Sequence, residues 1–191
     1  MNWDDAHRSN YESKAFSPEN WVTAARALVA SAKAVEPKVI EYWESYRENA
    51  KDNTKKLLAD NYQGPYFMLY AFAIENYFKS AIVQSNTWEL KDNFKNNPVF
   101  PKELRSHQLV LLAQKADLDI SIVEEDLLRR LTRHAIWAGR YPVPTKYKEI
   151  SSAERFNDGQ EYLVTWFGGD DVEKLSVFVG SLEKRLKLPR M

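Results

Sequence analysis

The chain has no cysteine among its 191 residues. Disulfides and thiolate metal sites are therefore excluded. Its three histidines, His7, His107 and His134, are far apart and show no HExxH-type ligand spacing. No metal site is expected from them. The six glycines form neither a phosphate-cradling loop nor a GxSxG elbow, so no nucleotide cofactor and no serine-hydrolase chemistry is indicated. Neither sign of charge dominates. With 27 basic and 27 acidic residues the formal net charge is zero, so attraction to nucleic acid would need a local patch. No apolar run approaches the roughly 18–20 residues of a membrane span. The opening NWDDAHRSN has no basic and apolar leader pattern. The expectation is a cytoplasmic protein with no membrane contact and no cofactor.

What remains is an ordinary globular composition, 44% hydrophobic and 28% charged. Helical periodicity dominates it. Residues 1–16 are polar without a clear period and read as an arm. Residues 17–191 read as a single helical domain. Ser17-Pro18-Glu19 starts a helix with a serine cap, proline in the first turn and an early acid. Pro37 should end or kink that helix, and a second should run to about Leu58. Asn61 to Pro65 is a break. The stretch Tyr66 to Gln84 follows as the central helix, apolar at Phe67, Tyr70, Ala71, Ile74, Phe78, Ala81 and Ile82. Glu75 and Lys79 lie four apart on its polar strip, which reads either as a solvated seam with one surface ion pair or as a site. Asn86 to Pro101 reads as a loop. Ser106 caps the next helix. Ser121 and Glu124 have capping-box spacing and open the one after, which should stop near Gly139 or before Pro142. Glu161 to Phe167 reads as a strand or a helical turn. Val172 to Leu186 is a last amphipathic helix. The fold class is all-α, a bundle of five or six helices.

Local chemistry concentrates between Asp126 and Lys148. This stretch holds six basic residues, Arg129, Arg130, Arg133, Arg140, Lys146 and Lys148, against the single acid Asp126. If the helix continues to Arg140, then Arg129, Arg133 and Arg140 fall within about 40° of one another at 100° per residue. Trp137 and Tyr141 flank the stripe. Arginine interleaved with aromatics can hold phosphates and stack bases. The alternative is a solvated face whose arginines pair with acids elsewhere. His134 falls at the edge of the apolar face, where a lone histidine is more often a packed, hydrogen-bonded side chain than a catalyst.

Three stretches together resemble the HEPN superfamily: AFAIENYFKSAIV at 71–83, HQLVLLAQKADL at 107–118 and LLRRLTRHAIWAGRYPVP at 127–144. Ala71, Glu75, Lys79, His107, Leu109, Leu112, Arg140, Tyr141 and Pro142 carry the likeness in order, and it is similar to the Arg-Tyr-Pro subgroup. It covers about residues 60–145. The resemblance implies an antiparallel four-helix core with added N- and C-terminal helices, and a homodimer. It further implies an RNA- or nucleotide-directed protein, with metal-independent ribonuclease activity in a toxin–antitoxin or defence system as one outcome and an antitoxin as a partner. Loss of cleavage, leaving a nucleotide-binding, RNA-binding or dimerisation module, is the other. The family's Arg-x4–6-His motif fits Arg129 to His134. In a second register Arg133 takes the arginine position and no histidine follows at the right place. On the first register His134 is the acid or base and Arg129 or Arg133 the phosphate stabiliser. Arg140, Tyr141, Trp137, Glu75 and Lys79 are then the nucleotide- or RNA-binding residues.

Overall fold

The computed structural model describes residues 3–58, 61–144, 146–149, 153–155, 159, 161–163 and 167–189. Among them are six α-helices: α1 (Trp3–Ala15), α2 (Pro18–Lys51), α3 (Gln63–Asn96), α4 (Leu109–Lys115), α5 (Ile122–Arg133) and α6 (Gly169–Arg185). A π-helical turn, His134–Ala138, extends α5. One small antiparallel ladder pairs β1 (Ala153–Arg155) with β2 (Glu161–Leu163), Ala153 opposite Leu163. Thus Glu161 starts a strand, while residues 164–166 of the same expected segment lie outside the described residues.

Helix α3 is the axis of the molecule. Tyr66, Phe67, Tyr70, Ala71, Ala73, Ile74, Phe78 and Val83 have no exposed surface. These positions surround the helix rather than forming one stripe, as expected for a helix covered from several sides. Helix α2 lies antiparallel to it: the Ser80 hydroxyl donates to the Pro18 carbonyl near one end, and the Tyr66 hydroxyl donates to Glu36 further along. Burial pushes the Tyr66 hydroxyl pKa up, and the Glu36 carboxylate adds to the shift. Helix α5 also opposes α3, since Gly139, just past its π-turn, sits against Gly64 and Met68. Helix α6 closes the bundle. Its Glu183 takes a bidentate bond from Arg26 of α2 and another from the Tyr77 hydroxyl of α3.

Four boundaries differ from the sequence expectation. Helix α2 runs through Pro37. Val22, Ala25 and Ala32 before the proline and Val39 after it are all buried. Packing on α3 offsets the one hydrogen bond that proline removes. Helix α3 continues to Asn96 past a single non-helical residue, Asn86, because Leu90 and Phe94 are buried beyond it. Residues 3–15 are not a loose arm but a helix. Arg8 donates to the Lys95 carbonyl, and Tyr11 stacks on Phe94 with centroids 4.9 Å apart. The Ser106 cap moves too. Ser106 Oγ accepts from the Gln108 amide, and the helix starts at Leu109. The Ser121–Glu124 capping box is present with both bonds, 2.8 and 3.3 Å.

Candidate functional site

The two histidines nearest to chemistry have opposite settings. His134 sits in the first position of the π-turn and is 5% exposed. Phe67 of α3 and Phe167 meet its ring edge-on, with centroids 5.6 and 5.0 Å away. Phe67 and Phe167 in turn stack at 3.8 Å. The His134 Nδ1 is buried with no hydrogen-bond partner among the described residues. Burial holds its pKa down at about 4; the Arg130 carbonyl opposes this in part, and the Arg130 guanidinium charge adds a smaller lowering. It is a neutral core side chain at neutral pH. The histidine that the resemblance makes the acid or base is thus, among the described residues, a buried ring packed between two phenylalanines.

Arg130 lies beside it under Phe167. Its guanidinium makes two bonds to Asp171 at 2.7 and 2.8 Å and sits 4.7 Å from the Phe167 ring centroid. Asp171 caps α6 by accepting from the Gly168 amide at 2.7 Å. Although burial raises the Asp171 pKa, the Arg130 bonds and charge more than cancel it, and the net shift is downward. Arg130 is therefore a tie between α5 and α6. Asp171 and Phe167 stand about 40 positions away in sequence, and neither pattern nor motif announces them.

The arginine stripe is not assembled as expected. Arg129 is paired with Glu125, one turn back, at 2.5 Å. Arg133 is partly buried at the end of α5. The π-turn between Arg133 and Arg140 departs from 100° per residue, so Arg140 leaves the line. Arg140 turns back to donate to the Ala135 and Ile136 carbonyls, and its guanidinium lies 5.5 Å from the Tyr141 ring centroid. Arg140 is exposed and Tyr141 is 56% exposed. Trp137 is not beside them at the surface. It is 7% exposed, and its buried indole nitrogen has no hydrogen-bond partner among the described residues.

Glu75 and Lys79 form a buried cluster rather than a solvated seam. They are 7% and 5% exposed and bonded at 2.5 Å. Lys79 Nζ also faces the Trp21 ring of α2 at 5.9 Å. The second Glu75 oxygen meets His107 Nδ1 at 2.9 Å. His107 itself is 54% exposed along its side chain. Just after it, the Leu109 amide donates to Thr132 Oγ1, which fixes the start of α4 against α5. The sequence singled out Glu75 and Lys79 but not the bond to His107. Only the likeness in order across 71–118 hinted at it.

Among the described residues no group of three or more histidine, aspartate or glutamate side chains is arranged to hold a metal ion. No described helix is long and apolar enough to cross a membrane. Compared with family models, with curated proteins and with solved structures, the chain matches none.

Proposed function

We propose that this chain is a HEPN-like RNA- or nucleotide-directed protein that meets phosphate through the end of α5. The antiparallel four-helix HEPN core, in this reading, is built on α3, α4 and α5, with α2 as the fourth member. The observation that carries it is the exposed Arg140 guanidinium over the exposed Tyr141 ring, within a segment that holds six basic residues and one acid. A cation beside an aromatic face suits a phosphate and its neighbouring base. The order Glu75, Lys79, His107, Arg140, Tyr141, Pro142 supports the same reading. So does the contact of Glu75 with His107, which joins two of the three resembling stretches. A homodimer, a cytoplasmic setting and an antitoxin partner in a defence system belong to this proposal and rest on the resemblance alone.

The test is a fluorescence titration with a short single-stranded RNA at several salt concentrations. Wild type should bind with an affinity that falls as salt rises. Arg140→Ala with Tyr141→Ala should weaken binding about tenfold, in line with one stacked base and one phosphate contact. Wild-type protein with no salt-dependent affinity for RNA or mononucleotide overturns the reading.

One observation favours a second reading, a dimerisation module without ligand. The Arg140 side chain already serves the carbonyls at the end of the π-turn. On that reading Arg140→Ala lowers the melting temperature and leaves any RNA affinity unchanged.

A further inference from the structure

We infer that His107, oriented by Glu75, is an acid–base group of this protein that acts on the ribose 2′-hydroxyl of bound RNA; the inference rests on the RNA-directed reading above. Glu75 is ion-paired to Lys79, and an ionised carboxylate only accepts hydrogen bonds. The 2.9 Å contact therefore places the proton on His107 Nδ1. Nε2 is then the nitrogen that can take a proton, on a ring whose side chain is 54% exposed. A base whose second ring nitrogen is held by a carboxylate is the arrangement that activates a hydroxyl. The carboxylate is itself fixed: both oxygens are engaged, one by Lys79 and one by His107, and Lys79 is held against Trp21. His134 has none of this. No carboxylate faces it among its described contacts, and it is buried between two phenylalanines.

Met68, which Gly139 meets, and Glu75, which His107 meets, are seven residues apart on α3. Seven residues return to within about 20° of the same face and advance about 10 Å. The chain at Gly139 and the His107 ring thus meet one side of α3 at two levels. In the step, Nε2 takes the 2′-hydroxyl proton while the 2′ oxygen bonds to the adjacent phosphorus. The bond from phosphorus to the 5′ oxygen breaks, and that oxygen takes a proton from water; the hydroxide left takes the proton from Nε2, which restores neutral His107. The products are a 2′,3′-cyclic phosphate and a 5′-hydroxyl, with no change in oxidation state and no metal in the balance. His107 is the catalytic residue and Glu75 a positioning residue.

The experiment uses the full chain and a labelled single-stranded RNA in EDTA, with cleavage, product ends and RNA binding measured in parallel. Wild type should yield cyclic phosphate ends. His107→Asn keeps a donor toward Glu75; it should cleave at least about 100-fold more slowly, the usual size of an acid–base contribution, and bind RNA as wild type does. His134→Phe should cleave within about threefold of wild type. A thermal melt of each variant identifies one that fails to fold, and His107→Asn alone then decides. Glu75→Gln should lower the rate and move the imidazole nitrogen chemical shifts of His107 away from the Nδ1-protonated form. Equal cleavage by His107→Asn and wild type overturns the inference. So does a wild type that binds RNA and leaves it intact. A wild type that binds no RNA overturns instead the reading on which this rests.

Discussion

His107 and His134 are 27 positions apart, and both belong to stretches rich in helix formers, yet the fold has made them opposite kinds of side chain. His134 packs against two phenylalanine rings, and its Nδ1 has no partner among the described residues. His107 is held by a carboxylate and faces solvent along much of its ring. The difference comes from what each neighbourhood supplies. The charge that acts on His134 is that of Arg130, which is bonded to Asp171. Near His107 the charges are a matched pair on one helix, with one carboxylate oxygen left for the ring. A histidine motif in sequence names a residue type; its partners decide whether that residue can move a proton.

The contrast can be broken most forcefully at the seal over His134. Asp171→Asn leaves the Arg130 guanidinium buried opposite a neutral group. Stability should fall by about 3 kcal/mol, the size seen when one partner of a buried pair is removed, and urea denaturation measures it. If the loss is under about 1 kcal/mol, Arg130 is not the tie described here.

The next largest effect is a pH dependence. His134 has a pKa of about 4 when folded, against 6.5 ordinarily. Between those values the unfolded chain binds more protons than the folded one, so stability rises with pH there. The contribution of neutral His134 is complete above about pH 6.5 and is lost as pH falls toward 4. That amounts to about 3 kcal/mol in all, at about 1.4 kcal/mol per pH unit. The carboxyls of Glu124, Asp171 and Glu183 are held below their ordinary values by arginine partners; their contributions are lost only at lower pH, below about 4.5. The stability of wild type minus that of His134→Phe, followed from pH 7 to 5, should therefore carry the slope. A flat difference would place His134 in contact with water.

Gly139 tests whether the π-turn depends on close backbone approach. A β-carbon there would collide with Met68 Cβ. Gly139→Ala should cost about 1–3 kcal/mol as an overpacked contact, readable as a drop in melting temperature, with the aromatic cage of His134 displaced. The smallest effect is expected at His107. His107→Asn should change stability by less than about 1 kcal/mol, as for a half-exposed polar contact. A larger loss would assign the ring to holding α4 on α3.

The sequence made much of this fold legible, unevenly. The central helix, the Ser121–Glu124 box and the final helix were readable because apolar spacing and caps act locally. Pro37 misled because the local rule against proline was outweighed by apolar contacts on both sides of it. Residues 3–15 misled because their few apolar groups, Tyr11 among them, find a partner only in distant Phe94. At the site, Glu75 and Lys79 were legible as a pair but not as a buried one, since a four-residue spacing looks the same on a surface and in a core. The Arg129–Arg133–Arg140 stripe assumed one uninterrupted helix, which the π-turn breaks. Arg130 seemed one more cation in the stripe, and its partner Asp171 is too distant to read.

The π-turn has one more implication. Such a turn is the geometric trace of one residue beyond what an α-helix accommodates. Loss of a single codon within 134–138 would restore an unbroken ladder and swing everything after it by about 100°. Arg140 and Tyr141 would then project in a new direction while α3, α4 and the Glu75 cluster stayed in place. The heading of the exposed end is thus set by a count of residues rather than by their chemistry, a degree of freedom that a lineage can alter in one step.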